Sequence, residues 1–167
     1  MTSRAALLTL LVLFPVVASA QANATSPIDG VWKISEVVTT GANAGTVTNP
    51  QSSLLIFARG HYSWVSVNGT TPRIQSPAAK DPAKLSDAEK AARYAEWASF
   101  TANSGTFETK GNTLTRRLLV AKNVGAMNAK SPTVQEFKLE GKTLWLVQKS
   151  AAGQPASETR TKLTRVH

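Results

Sequence analysis

The residue whose type and spacing best suit it to chemistry is Arg116. In Thr113 to Val120 (TLTRRLLV), Leu114, Arg116 and Leu118 share one face of an extended chain, and Thr115 and Arg117 share the other. Two leucines mark the inward row, so a guanidinium falls among apolar neighbours. A buried Arg is costly unless it is paired. Its partner is then an inward carboxylate, with Glu36 and Glu136 as candidates, or the acid group of a bound ligand. The pattern also admits a register in which Arg116 sits at a rim, its stem packed and its head in water.

The remaining chemical inventory is thin. His61 sits at a turn and His167 is the last residue, and neither has a spacing partner for a metal site. No metal site and no cofactor is expected. No nucleophile elbow, zinc-protease helix, phosphate loop or dinucleotide fingerprint is present. Glu36, Glu108, Glu136 and Glu140 fall on strands or turns without visible pairing. An acid–base pair converging in a cavity would draw on Glu36, Tyr62 or Glu136. Candidate ligand-lining aromatics are Tyr62 and Trp64 on one strand face, Phe107 on another strand, and Tyr94 and Trp97 on a helix able to cover a cavity mouth. Simple core packing is the alternative for each of these rings.

These residues need elements to hold them. Ile28 to Thr40 reads as a β-branched strand, and Gly41 to Ser52 as a turn-rich loop. Ser53 to Ala58 and His61 to Val67 form a hairpin around Arg59-Gly60. Thr70 to Lys84, with three prolines, reads as a surface loop. Ser86-Asp87-Ala88-Glu89 is a capping box, and a helix follows to about Phe100. Gly105 to Thr109 and Thr113 to Val120 form a second hairpin. A polar loop covers Ala121 to Pro132. Thr133 to Leu139 and Thr143 to Gln148 form a third hairpin, and Glu158 to Val166 is the last strand. Eight short, mostly hairpin-connected strands with one inserted helix fit an antiparallel up-and-down barrel, which closes its edges and can hold one small ligand.

Composition narrows the setting. Arg4, the apolar run Ala5 to Val17 and Ala18-Ser19-Ala20 have the form of an export signal with an A-x-A cleavage site. The expected organisation is a signal peptide at 1–20, a loose leader at 21–27 and a barrel domain at 28–167, exported to the periplasm or the medium. The apolar run is shorter than the ~20 residues of a bilayer span, so no membrane-spanning segment is expected. The chain has no Cys, which excludes disulfides, thiolate zinc sites and cysteine nucleophiles. The formal charge is +9, but only Arg116 and Arg117 are adjacent cations. A clustered basic face is missing, so no specific nucleic-acid partner is expected.

Gly30-Val31-Trp32 at the first strand, the Leu55 to Ser63 hairpin (LIFARGHYS) and Ser104 to Glu108 after the helix (SGTFE) carry a family resemblance. The chain resembles the bacterial lipocalin-like domain family, calycin-type barrels of uncharacterised function, from about Gly30 to Arg165. The resemblance implies that Trp32 closes one barrel end under a basic residue of the last strand, Arg165 or alternatively Arg160. It also implies a small hydrophobic or amphipathic ligand inside the barrel. An isomerase or cyclase built in the barrel, or a filled barrel working through its surface as an envelope interaction module, are the alternatives.

Overall fold

A computed structural model describes residues 25–41 and 43–166. The expected signal peptide, most of the leader and His167 lie outside these residues. The strands are β1 (Gly30–Gly41), β2 (Gly45–Val47), β3 (Ser53–Ala58), β4 (His61–Val67), β5 (Phe100–Lys110), β6 (Thr113–Ala121), β7 (Thr133–Glu140), β8 (Thr143–Lys149) and β9 (Ser157–Arg165). Helix α1 (Asp87–Ala98) lies between β4 and β5, and the single turn α2 (Val124–Met127) between β6 and β7.

All pairings are antiparallel. From β3 to β9 each strand pairs with its chain neighbour, and β1 pairs with both β3 and β9, which closes the sheet into an eight-stranded barrel. The short β2 lies outside this ring. It folds back on β1 at Val37 to Thr39, further along the edge that holds β3 at Gly30 to Trp32. The loop expected at 41–52 therefore contains a three-residue strand, and the polar loop at 121–132 contains α2.

The two barrel ends differ in chain economy. At one end the strands are joined by the tight turns 59–60, 111–112 and 141–142. Arg59 and Gly60 both have positive φ (49° and 78°), the backbone twist that a two-residue hairpin needs. At the other end lie the long connections 42–52, 68–99, 122–132 and 150–156.

The apolar core fills the tight-turn half. Trp32, Leu55, Phe57, Leu114, Leu144, Leu146 and Leu163 are fully buried or nearly so. Trp32 forms the floor. Its Nε1 donates to the Ile28 carbonyl at 2.9 Å, and the Arg165 guanidinium lies 4.2 Å from the ring centroid. Arg165 also donates to the carbonyls of Asp29 (2.7 Å) and Pro27 (3.4 Å). One side chain thus ties the entry to β1, the Trp ring and the end of β9 together. Arg160, the alternative, is exposed and pairs with Glu158.

Two bulges set which residues face inward. In β1 the register shifts between Ile34 and Glu36. In β6 the shift falls opposite Ser104 and Gly105 and skips Leu119. A Cβ on Gly105 would lie 1.9 Å from the Arg117 carbonyl oxygen, so this second bulge requires glycine.

Helix α1 carries the capping box. The Ser86 hydroxyl accepts from the Glu89 N–H, and Glu89 accepts from the Ser86 N–H. No residue of α1 is buried. The segment before it folds back along the helix instead: Arg73 donates to the Glu96 carbonyl at 3.0 Å, and the Ser76 N–H donates to the Glu96 carboxylate.

Candidate functional site

Above the apolar half the inward row turns polar. Thr39 and Thr159 face each other at 3.2 Å between hydroxyls. Thr161 stands opposite the buried Leu146 in register, and Thr133 stands opposite Arg116. On β4 and β5, Ser66 pairs with Thr101 and Trp64 with Asn103. Many of these inward side chains keep partial exposure, so the long-loop half, the chamber, is more loosely filled than the apolar half; its inward positions also include Val37, Trp64 and Leu118.

Arg116 lies at the junction of the two halves. It is only 7% exposed, so the head is inside and not at the rim. Its guanidinium carbon sits 4.9 Å from the Trp64 ring centroid and 5.2 Å from that of Tyr62. Its Nη2 donates to Gln135 Oε1 at 2.7 Å. Among the described residues its Nε has no partner, and neither has the Tyr62 hydroxyl, which is also buried. None of the ion pairs among the described residues involves Arg116. Burial pulls its pKa down from the usual arginine value, with Tyr62 acting the other way. Burial likewise raises the Tyr62 phenol, with the Arg116 charge acting the other way, so the hydroxyl stays a neutral donor.

The expected carboxylate partners are elsewhere. Past the β1 bulge, Val37 and Thr39 continue the inward row, and Glu36 stands opposite Lys162 on the outer one. Lys162 in turn lies over the Trp145 ring at 5.2 Å. Glu136 is exposed and pairs with Lys149 outside the barrel at 2.8 Å. Glu108 is exposed, and Glu140 pairs with Lys138 on the surface. Glu36, Tyr62 and Glu136 therefore do not converge, and of the three only Tyr62 faces the interior.

Gln135 takes the position expected of an acid. It shares an inward row with Phe137 and Leu139, a pattern readable in TVQEFKL. Asn103 is the other inward residue that sequence reasoning misses, because β5 starts at Phe100 and not at Gly105. Its Oδ1 is buried without a partner. A further polar chain climbs toward the mouth: Trp64 Nε1 donates to Ser66 Oγ (3.2 Å), Ser66 to Asn68 Oδ1 (3.4 Å), and Asn68 Nδ2 to Thr101 Oγ1 (2.8 Å).

The remaining expected aromatics divide. Phe107 is core, packed edge-on against Phe57 at 5.1 Å. Tyr94 is 77% exposed and borders a cleft of about 630 Å³ at the mouth, with Asn103, Leu118 and Val124 among its other walls. Trp97 is 53% exposed and packs with Phe100 and Arg73, not with the chamber. Gly30 opens β1 at the closed end, two residues before Trp32, which stands opposite Arg165 in register. His61 is exposed beside the Arg59 carbonyl. Among the described residues no cluster of His, Cys, Asp and Glu could hold a metal ion, and no helix is long and apolar enough to cross a membrane.

No protein-family model matches the chain, and no curated protein matches it. Solved structures similar to it include two from Bacteroides species. One is a lipocalin-like protein from Bacteroides uniformis, 12% identical, matching 82% of this chain and 96% of that one with a TM-score of 0.44. The other is an uncharacterized protein from Bacteroides eggerthii, 11% identical, matching 82% and 98% with a TM-score of 0.43.

Proposed function

We propose that this chain is an exported binding protein that holds a small amphipathic acid in the open half of its barrel, with Arg116 taking the acid group. The observation that carries the reading is a buried cation with no carboxylate paired to it among the described residues. A guanidinium removed from water demands a counter-charge or a full set of hydrogen bonds. Arg116 has one hydrogen bond, two ring faces and a free Nε. The unpartnered Tyr62 hydroxyl supplies a second donor beside it. An entering carboxylate would satisfy both and neutralise the charge, and charge-assisted bonds of this kind are the stronger ones.

Titration calorimetry of the natural chain and R116A with a small acid and with its neutral amide tests the reading. The acid is expected to bind and the amide to bind weakly. R116A is expected to lose the acid and to leave the amide unchanged. Equal loss of both ligands in R116A would overturn the role of Arg116. Export rests on Arg4, the apolar run and Ala18-Ser19-Ala20. The expected result is a periplasmic or medium product starting at Gln21, read by intact mass. An uncleaved chain in the membrane fraction would refute it.

A further inference from the structure

We infer that the acid held at Arg116 is compact and hydroxylated, a monoanionic hydroxy acid and not a long-chain one; the inference rests on the reading above. Four observations specify the ligand. The first is the floor. Directly below Arg116 the barrel is filled by the packed side chains of Leu114, Leu144, Leu146 and Phe107, so an acyl tail has no apolar tunnel to enter.

The second is the wall. Above Arg116 the inward positions are mostly hydroxyls, Thr39, Thr159, Thr161, Thr101 and Ser66, with Val37 and Leu118 among them. Such a lining favours ligand hydroxyls over methylenes, because an apolar tail would strip these groups of water and return nothing. The third is depth. From Thr161 to Ser157 at the rim the chain climbs four residues, ~13 Å along the strand and about 10 Å of depth at the tilt of barrel strands. A ligand of about six carbons fits that height and a sixteen-carbon chain does not.

The fourth is the set of unpartnered buried atoms. Arg116 Nε and Tyr62 Oη are the donors, and Asn103 Oδ1, next to Trp64 in register, is an acceptor. A carboxylate answers the two donors, and it cannot answer Asn103. A hydroxyl carried by the same ligand can. By strand alternation Arg116 is the inward-facing cation of the chamber: Arg117, Lys138, Lys149 and Lys162 all fall on outer rows. One cation matches one negative charge, which favours a carboxylate over a phosphate dianion.

The test is titration calorimetry of the exported protein with D-gluconate, hexanoate, sorbitol and palmitate. Gluconate and hexanoate share chain length and charge, and sorbitol keeps the hydroxyls without the charge. Gluconate is expected to bind at least about tenfold tighter than hexanoate, the worth of one or two hydrogen bonds. Sorbitol and palmitate are expected not to bind. N103A is expected to weaken gluconate about tenfold and leave hexanoate unchanged. N103D, which keeps the side-chain size and sets a carboxylate beside the bound acid, is expected to abolish gluconate binding. Hexanoate or palmitate binding as tightly as gluconate, with the affinity lost in R116A, would overturn the hydroxy-acid class and leave the acid site standing. Loss of hexanoate binding in N103A would overturn the role of Asn103. Acid affinities unchanged in R116A, or no acid bound at ~10 mM, a level weaker than any specific site, would overturn both readings.

Discussion

Arg116 and Gln135 form a polar pair held inside the barrel, and their joint replacement by methionine separates stability from binding. R116M with Q135M removes one charge-assisted hydrogen bond, of about 1.5–3 kcal/mol, and two ring contacts of about 2 kcal/mol each when desolvated. Against this stands the cost of burying a guanidinium without a carboxylate, several kcal/mol even after relaxation. The two sides nearly cancel, and packed apolar replacements of buried ionic groups often gain ~1–4 kcal/mol. The double variant is therefore expected to be as stable as the natural chain or more so. R116A is different. It leaves a cavity and an unpaired Gln135 amide, and about 2–4 kcal/mol of stability should be lost. Urea denaturation followed by tryptophan fluorescence measures both. With an acid ligand at 100 times its Kd the natural chain should gain about 2.7 kcal/mol, and the double variant should gain nothing. A double variant destabilised by more than ~3 kcal/mol, the range of a broken buried network, would refute the reasoning and make Arg116 a structural residue.

Four further variants test the geometry. R165A removes the guanidinium 4.2 Å from Trp32 and its bonds to two carbonyls; a loss of about 2–4 kcal/mol, or roughly 4–16 °C in a thermal melt, is expected. R160A, with its exposed pair to Glu158, should stay within ~0.5 kcal/mol. G105A drives a Cβ to 1.9 Å from the Arg117 carbonyl and should cost more than about 3 kcal/mol, visible as a lost or greatly lowered soluble yield. S86A removes the α1 cap and should raise amide exchange over 87–98, by ~1 kcal/mol locally, with the barrel melt unchanged. The hydrogen bond from the Ser86 side chain holds the Glu89 carboxyl below its usual range. The Glu89 half of the cap is therefore intact above about pH 4.3, the unfolded value, and is lost as pH falls through the lower folded one.

Much of the barrel was legible because hairpins announce themselves locally. Arg59-Gly60, Gly111-Asn112 and Gly141-Lys142 punctuate strands whose alternation is clean, and the observed register keeps those turns. The capping box placed the start of α1 for the same reason: its signal lies within four residues. What was hidden depends on partners distant in sequence. The β1 bulge answers to its pairing with β9, so Glu36 appeared inward until the register was known. Strand β2 has three residues and no pattern of its own; it exists because β1 has a free edge beyond β3. Asn103 was hidden because Phe100 to Ser104 follows a helix and lacks alternating large apolar residues, yet it pairs fully with β4. Glu136 is a different case. Phe137 and Leu139 mark the inward row of β7, and that row contains Gln135.

The two ends of the barrel explain how a chain without disulfides tolerates a buried cation at all. The tight-turn end is fixed by short hairpins, by the apolar cluster from Leu55 to Leu163, and by Arg165 clamping Trp32. Tyr62, a member of that cluster, is where it meets Arg116. The cost of the polar half is therefore borne by a core that folds for its own reasons. The long connections sit at the open end, where α1 rides on its own preceding segment and buries nothing. Chamber residues such as Thr101, Thr133 and Thr159 should accept substitution at little cost in stability, because their side chains keep partial exposure. Truncating Leu55 or Leu144 should cost about 2–5 kcal/mol. A barrel divided this way can vary its polar half without changing how it folds, and the unpartnered atoms of Arg116, Tyr62 and Asn103 lie in that half.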